Sequence, residues 1–304
     1  MNWKITLQNI IKQHNKTAAV GGKAVSFATQ DARQEILWLG FKELRTLGFK
    51  LDNVRGFKER HIMALVQGWE TRGLSASTIQ NRVSIFRTFA EWIGKKGMVR
   101  RSENYVKNPD SVIRHLVTQT DKTWSGQGIS LEDKLATIQK QDCHIAIQLK
   151  LQRAFGLRMK EAALLKPHGA DKGAYLAVNW GTKGGRDRII PVVTDHQREV
   201  LAEAKRLAIK PNDSMTPNWY NFKQWRNHYY YVCQKSGISR QEGITSHGLR
   251  HERLNEIYQE ITGVESPIKN RYPNIDRDCD QTARQEIAEV AGHSRSSIAA
   301  AYIG

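Results

Sequence analysis

Only one pair of runs in this chain has the composition of β-strands. Tyr175–Trp180 and Arg188–Val193 are rich in β-branched and aromatic residues, and the stretch between them is Gly181-Thr-Lys183-Gly-Gly-Arg186-Asp187. That pattern predicts a hairpin with a glycine-rich tip carrying Lys183. A lone two-stranded hairpin is marginal in water and cannot enclose a core, so helices must supply one. The expected fold class is therefore mainly α with a small β-sheet.

The periodic segments agree. Ala32 to Leu47 repeats Leu37, Phe41 and Leu44 and stops at Gly48, and Lys58 to Arg72 carries Ile62, Leu65, Val66 and Trp69. The clearest helix follows Leu74-Ser-Ala-Ser77, with Ser77 as the expected N-cap. Ile79, Val83, Phe86, Ala90 and Ile93 form its apolar face, Arg82 and Arg87 lie on its other faces, and Gly94-Lys95-Lys96-Gly97 ends it. From Arg100 to Ser130 the period fades into polar and turn-forming residues. The expected organisation is a helical domain over 1–115, a linker at 116–130, and a second domain over 131–304. The two domains are expected to clamp a duplex from opposite sides.

In the second half, Ser130-Leu-Glu-Asp133 reads as a helix start of the capping-box kind. A helical run from Asp142 to Phe155 ends at Gly156, with Arg158 opening Met159–Leu165 just beyond. Thr216-Pro217 is expected to start a helix in which Phe222, Trp225, Tyr229 and Val232 form a core stripe. His247 and Arg250 share one face of a further helix, which Leu254, Ile257 and Ile261 continue towards the core.

Charge narrows the partner. Lys and Arg number 47 against 30 Asp and Glu, a net charge of +17, which favours a polyanion such as DNA or RNA over a neutral small molecule. No run approaches the roughly 20 apolar residues of a membrane span, and Met1-Asn-Trp-Lys lacks the apolar core of a signal peptide. Cys143, Cys233 and Cys279 form neither a CxxC pair nor an even set, so a reducing cytoplasm is expected, nucleoid-associated if the polyanion is DNA.

Chemistry concentrates in a few places. Ser246-His247-Gly-Leu-Arg250-His251 pairs a histidine with an arginine, and Gly292-His293 precedes Tyr302 by nine residues. Arg158 with Glu161 follows a helix, and Lys183 tips the hairpin. In this order the elements resemble the tyrosine recombinase (integrase) family. Gly156-Leu-Arg158-Met-Lys-Glu161 matches its first arginine motif, Thr182-Lys183-Gly-Gly-Arg186-Asp-Arg-Ile-Ile-Pro191 its hairpin lysine, His247-Gly-Leu-Arg250 its HxxR box, and Gly292-His293 with Tyr302 its terminal box. Leu74 to Trp92 is similar to the family's core-binding domain, so the resemblance covers most of the chain.

The resemblance implies a site-specific DNA recombinase that cleaves and rejoins strands through a 3′-phosphotyrosine intermediate. Tyr302 would be the nucleophile, Arg158 and Arg250 bidentate forks on the phosphate, His247 a base or phosphate donor, Lys183 the acid for the 5′-oxygen, and His293 a further donor. Glu161 would orient Arg158 from behind. Arg82, Arg87, Lys95, Lys96 and Arg186 are expected to contact DNA. The partner would be double-stranded DNA bearing recombination sites, with a homotetramer assembled on it from a protein that is monomeric when free. No cofactor, metal or membrane is expected. Forming a phenolate at pH 7 from an unperturbed tyrosine costs about 4 kcal/mol, which a cationic cluster must offset.

Two departures and three rival readings belong beside this. Arg250 and His293 stand 43 residues apart, with the excess in a polar insertion near 262–281, and the chain ends two residues after Tyr302. Arg284 to Ile298 resembles a helix-turn-helix, which would make this a non-catalytic DNA binder. A type IB topoisomerase would share the chemistry without joining two sites. Asp276-Arg-Asp278-Cys-Asp280 suggests a cation loop but lacks the EF-hand glycine, so a solvated acidic loop is expected.

Overall fold

The computed structural model describes residues 2–17, 24–271 and 274–304. Tyr272 and Pro273, inside the expected insertion, lie outside the described residues. The chain divides into two compact units, Met1–Arg114 and His115–Gly304.

The first unit contains α1 (Trp3–His14), α2 (Phe27–Thr46), α3 (Glu59–Thr71) and α4 (Ala76–Trp92). Their apolar stripes meet in one core. Leu37, Phe41 and Leu44 of α2, Ile62, Leu65 and Trp69 of α3, and Ile79, Val83 and Phe86 of α4 are all buried there. Gly40 lets α2 approach α4, since a Cβ at that position would lie 2.4 Å from the Phe86 ring. The α4 cap is Ser75 rather than Ser77, for it is the Ser75 hydroxyl that accepts the Thr78 N–H. Ser75, Ser77 and Thr78 are all residue types that can cap a helix, and Ser75 is the one that does.

The second unit contains α5 (Leu131–Gln141), α6 (Cys143–Phe155), α7 (Met159–Leu164), α8 (Pro167–Ala170), β1 (Tyr175–Val178), β2 (Arg188–Pro191), α9 (Asp195–Leu207), α10 (Phe222–Lys235), α11 (Ser246–Thr262), α12 (Arg277–Val290) and α13 (Ala300–Ile303). The two strands pair antiparallel, Tyr175 opposite Pro191 and Val178 opposite Arg188. Leu176, Val178 and Ile190 enter the core on one face of this hairpin. α6 is the central helix and is buried nearly all round, from Ile145 to Phe155, which is why it shows no single apolar face in the sequence. Its two buried amides are satisfied: Gln148 donates to the Met215 carbonyl and accepts from the Trp225 indole, and Gln152 donates to the Tyr229 hydroxyl.

Three expectations and one rival reading change here. Within 116–130, expected as linker, Trp124 is buried in the second unit and its indole donates to the Thr245 carbonyl at 2.8 Å. The helix expected at Thr216-Pro217 begins at Phe222, because Pro217–Tyr220 closes a turn and Asn221 provides the cap. Ile261 is exposed rather than part of the core stripe, since it lies on the last turn of α11, where Gln259 and Glu260 are exposed as well. The segment after α12 forms a 3-10 turn, Ser296–Ala299, and the four-residue α13, not the second helix of a helix-turn-helix. In the acidic loop Asp276 caps α12 by accepting two backbone N–H groups, and Asp280 pairs with Arg284 and Tyr258. Among the described residues no helix is long and apolar enough to cross a membrane.

Candidate active site

α6 ends on Gly156, whose left-handed φ of +62° turns the chain sharply into α7. The turn brings Arg158 to the N-cap of α7, and Glu161 at the third helical position accepts its backbone N–H at 2.7 Å. The same carboxylate accepts the Arg158 guanidinium at 2.7 Å and both nitrogens of the Arg188 fork at 2.8 Å. Glu161 has no exposed surface. Burial by itself would raise its carboxyl, but the hydrogen bonds and charge of Arg188, then Arg158, outweigh that and hold it down to about 2.

The C-terminal end of α12 is the second organiser. Its partial negative charge attracts cations, and three arginines converge on it. Arg158 and Arg250 both donate to the Ala291 carbonyl, at 2.8 and 2.6 Å, and Arg188 Nε donates to the Val290 carbonyl at 2.8 Å. Arg250, in the first turns of α11, also donates to the Gly156 carbonyl. Burial lowers its guanidinium to about 10, which leaves it charged at neutral pH.

Tyr302 closes the site. Its hydroxyl accepts from Arg250 Nε at 3.3 Å and lies 3.4 Å from His293 Nε2, and Arg158 reaches the same imidazole nitrogen at 3.2 Å. The tyrosine ring covers the Arg250 guanidinium at 5.3 Å. Arg250 consequently has no exposed surface, so an incoming anion can reach it only once that ring shifts. The backbone of Tyr302 is also held: its carbonyl accepts from Asn255 at 3.2 Å, and the Ile303 carbonyl accepts from the Ile268 N–H at 2.8 Å. The extra chain between α11 and α12 thus packs on the segment bearing Tyr302.

His247 is exposed, with its ring 6.1 Å from that of Tyr302. Loss of solvent around the ring where it meets the cleft wall, then the neighbouring His251 and Arg250, push its imidazole below its ordinary value. His293 falls to about 4, through burial first and then Arg158 and Arg250. Both rings are neutral at pH 7. A cleft of about 940 Å³ opens beside His247, lined also by Lys122, His251 and Tyr302 among others.

Of the residues expected in the site, Arg158, Glu161, His247, Arg250, His293 and Tyr302 are brought together. Lys183 and Arg186 sit exposed on the hairpin tip, and Lys183 is near enough to His293 to help depress it. Two participants lacked a recognised signal. Arg188 was inside the hairpin motif but had no assigned part, and His251, whose ring lies 5.0 Å from that of Tyr302, looked like a neighbour of the box.

The basic residues expected to grip DNA from the first unit fare differently. Arg82 lies 3.8 Å from Glu43 and stacks over Trp69, Arg87 donates to the Val99 and Arg100 carbonyls, and Lys95 donates to those of Arg55 and Phe57. These three stabilise their own unit. Lys96 is exposed.

Comparison with known proteins gives the class first. The chain shares the fold of lambda integrase: residues 75–356 of that protein, a dimer bound to a COC′ core site, superpose with a TM-score of 0.61 at 16% identity, covering 98% of this chain and 95% of that one. A lambda integrase tetramer bound to a Holliday junction gives 0.61 and 16%, covering 98% and 77%. Family models for the phage integrase N-terminal region and for integrase match residues 8–99 and 118–254. The tyrosine recombinase XerC of Xylella fastidiosa (strain M23) is 29% identical over 133 residues, 43% of either chain. That match spans less than half the length of this curated relative. The chain belongs to the tyrosine recombinase family of phage-integrase type.

Proposed function

We propose that this protein is a site-specific DNA recombinase that breaks and rejoins strands through a phosphotyrosine linkage at Tyr302. The observation that carries the reading is the hydroxyl of Tyr302, seated between Arg250 Nε and His293 Nε2 with Arg158 on the same imidazole. Phosphoryl transfer is mainly positioning and electrostatic stabilisation, and two arginines beside a tyrosine supply both. When a phosphate enters, Arg158 and Arg250 grip the non-bridging oxygens, and His293 donates to one of them or accepts according to its tautomer. The Tyr302 oxygen forms the bond to phosphorus, its proton passes towards neutral His247, and the departing 5′-oxygen takes a proton from Lys183. Residues of the first unit contribute core binding of double-stranded DNA, and a tetramer on paired sites matches the need to exchange four strands.

The test begins with a random-sequence pool of nicked duplexes, from which wild-type protein should capture a subset covalently. Denaturing gels should show the protein–DNA adduct, and it should persist in EDTA because the arginines carry the charge. Absence of any adduct across the pool would defeat the reading. Junctions formed from two captured sites, rather than relaxation of supercoils alone, separate a recombinase from a topoisomerase.

Lys183→Ala should lower the rate of adduct formation by about 10²–10⁴-fold, the usual worth of a general acid, with DNA affinity unchanged. Filter binding and single-turnover cleavage on a captured duplex measure the two separately. Equal losses in both would reduce Lys183 to a phosphate contact.

A further inference from the structure

Lys183 projects from a tip that contains two consecutive glycines in left-handed conformation, Gly184 and Gly185, yet both limbs of that tip are pinned. On the entering limb Gly181, φ +77°, lies so close to α7 that a Cβ there would stand 2.7 Å from the Lys160 carbonyl oxygen. On the returning limb Arg188 is the first residue of β2, opposite Val178 and thus in the last ladder pair before the tip. Its side chain is nearly buried, at 6% exposure. The guanidinium grips both oxygens of Glu161 and its Nε holds the Val290 carbonyl. Its stem also fills the space beside Gly292, where a Cβ would meet Arg188 at 3.2 Å.

The consequence is mechanical. Each oxygen of Glu161 accepts from both Arg158 and Arg188, so the phosphate-facing arginine and the base of the lysine tip share one buried anchor. We propose that Arg188 is a positioning residue, through which the Lys183 tip is fixed in register with Arg158 and His293. The inference rests on the phosphotyrosyl-transfer reading above and assigns Arg188 no contact with substrate.

The chemistry of the leaving group tests it. In cleavage the phosphorus–oxygen bond to the 5′-carbon breaks as the bond to Tyr302 forms, and the leaving oxygen needs a proton. A sulfur at that bridging position leaves as a stable thiolate and needs none. With the full-length protein and a captured duplex, Arg188→Ala should slow adduct formation on the oxygen-bridged strand by about 10²-fold, as loss of a well-placed acid does. On the sulfur-bridged strand it should approach the wild-type rate, as should Lys183→Ala.

Arg158→Ala, which disturbs the phosphate grip, should stay slow on both strands. Gly181→Ala displaces the other limb without touching an ion pair, and it should behave like Arg188→Ala even if the latter folds poorly. Failure of sulfur to restore both variants, or wild-type rates from both on the oxygen-bridged strand, overturns the assignment. If wild-type protein forms no adduct on either strand, the transfer reading itself falls, and the positioning role falls with it.

Discussion

Tyr302→Phe is expected to abolish the covalent protein–DNA adduct while leaving fold and DNA affinity essentially as they are. The substitution removes one oxygen from a buried ring. The ring continues to cover the Arg250 guanidinium, and the backbone contacts of Tyr302 with Asn255 and of Ile303 with Ile268 do not involve the hydroxyl. What is lost are two long contacts of the hydroxyl, from Arg250 Nε at 3.3 Å and with His293 Nε2 at 3.4 Å, a cost of about 1 kcal/mol. What the chemistry loses is its nucleophile, for which phenylalanine has no substitute. Thermal unfolding, filter binding and a denaturing gel on a captured duplex should therefore separate cleanly, with only the gel changing. An undiminished DNA-linked band would move the nucleophile elsewhere.

Glu161→Ala should damage both stability and cleavage. Among the described residues its carboxylate is the one anion set against Arg158, Arg188 and, at 4.0 Å, Arg250. Removing it leaves buried guanidiniums facing one another, and breaking a buried pair in this way typically costs about 3–5 kcal/mol. Both arginine anchors go at once, so cleavage should fall by about 10²–10³-fold, comparable to losing a preorganised electrostatic donor.

Acid should show the same dependence. The folded carboxyl titrates at about 2 against an ordinary value of 4.5, so the stabilisation is fully present above pH 4.5 and is lost as pH falls towards 2. It amounts to roughly 3 kcal/mol. His251 and His293, each pushed down to about 4 from 6.5, resist protonation when folded and so lose stability earlier, as pH drops from 6.5 to 4. Urea midpoints followed from pH 7 to pH 2 should decline in both windows for the wild type and only in the upper one for Glu161→Gln. A variant that still declines between pH 4.5 and 2 as the wild type does would show that another carboxylate carries the acid sensitivity.

Much of this architecture is legible in the sequence because short-range chemistry specifies it. Alternation and glycine identify the hairpin. The 3.6-residue period identifies the core faces of α2, α3 and α4, and His247 with Arg250 falls on one face by spacing alone. Arg158, Glu161 and His293 are legible through the order of their motifs.

Other features were decided by contacts between distant parts of the chain. Arg82, Arg87 and Lys95 look like a basic surface until Glu43 and four backbone carbonyls claim them. Trp124 sits in a segment without period, and only the pocket beneath Thr245 makes it core. The convergence of Arg158, Arg188 and Arg250 on Val290 and Ala291 has no sequence signature, because the acceptors are main-chain carbonyls at a helix end, which any residue provides. The sequence by itself determined which elements form and which side chains can do phosphate chemistry. Tertiary structure decided which of those charges face inward, because the low dielectric of the core rewards only the cations that find an acceptor there.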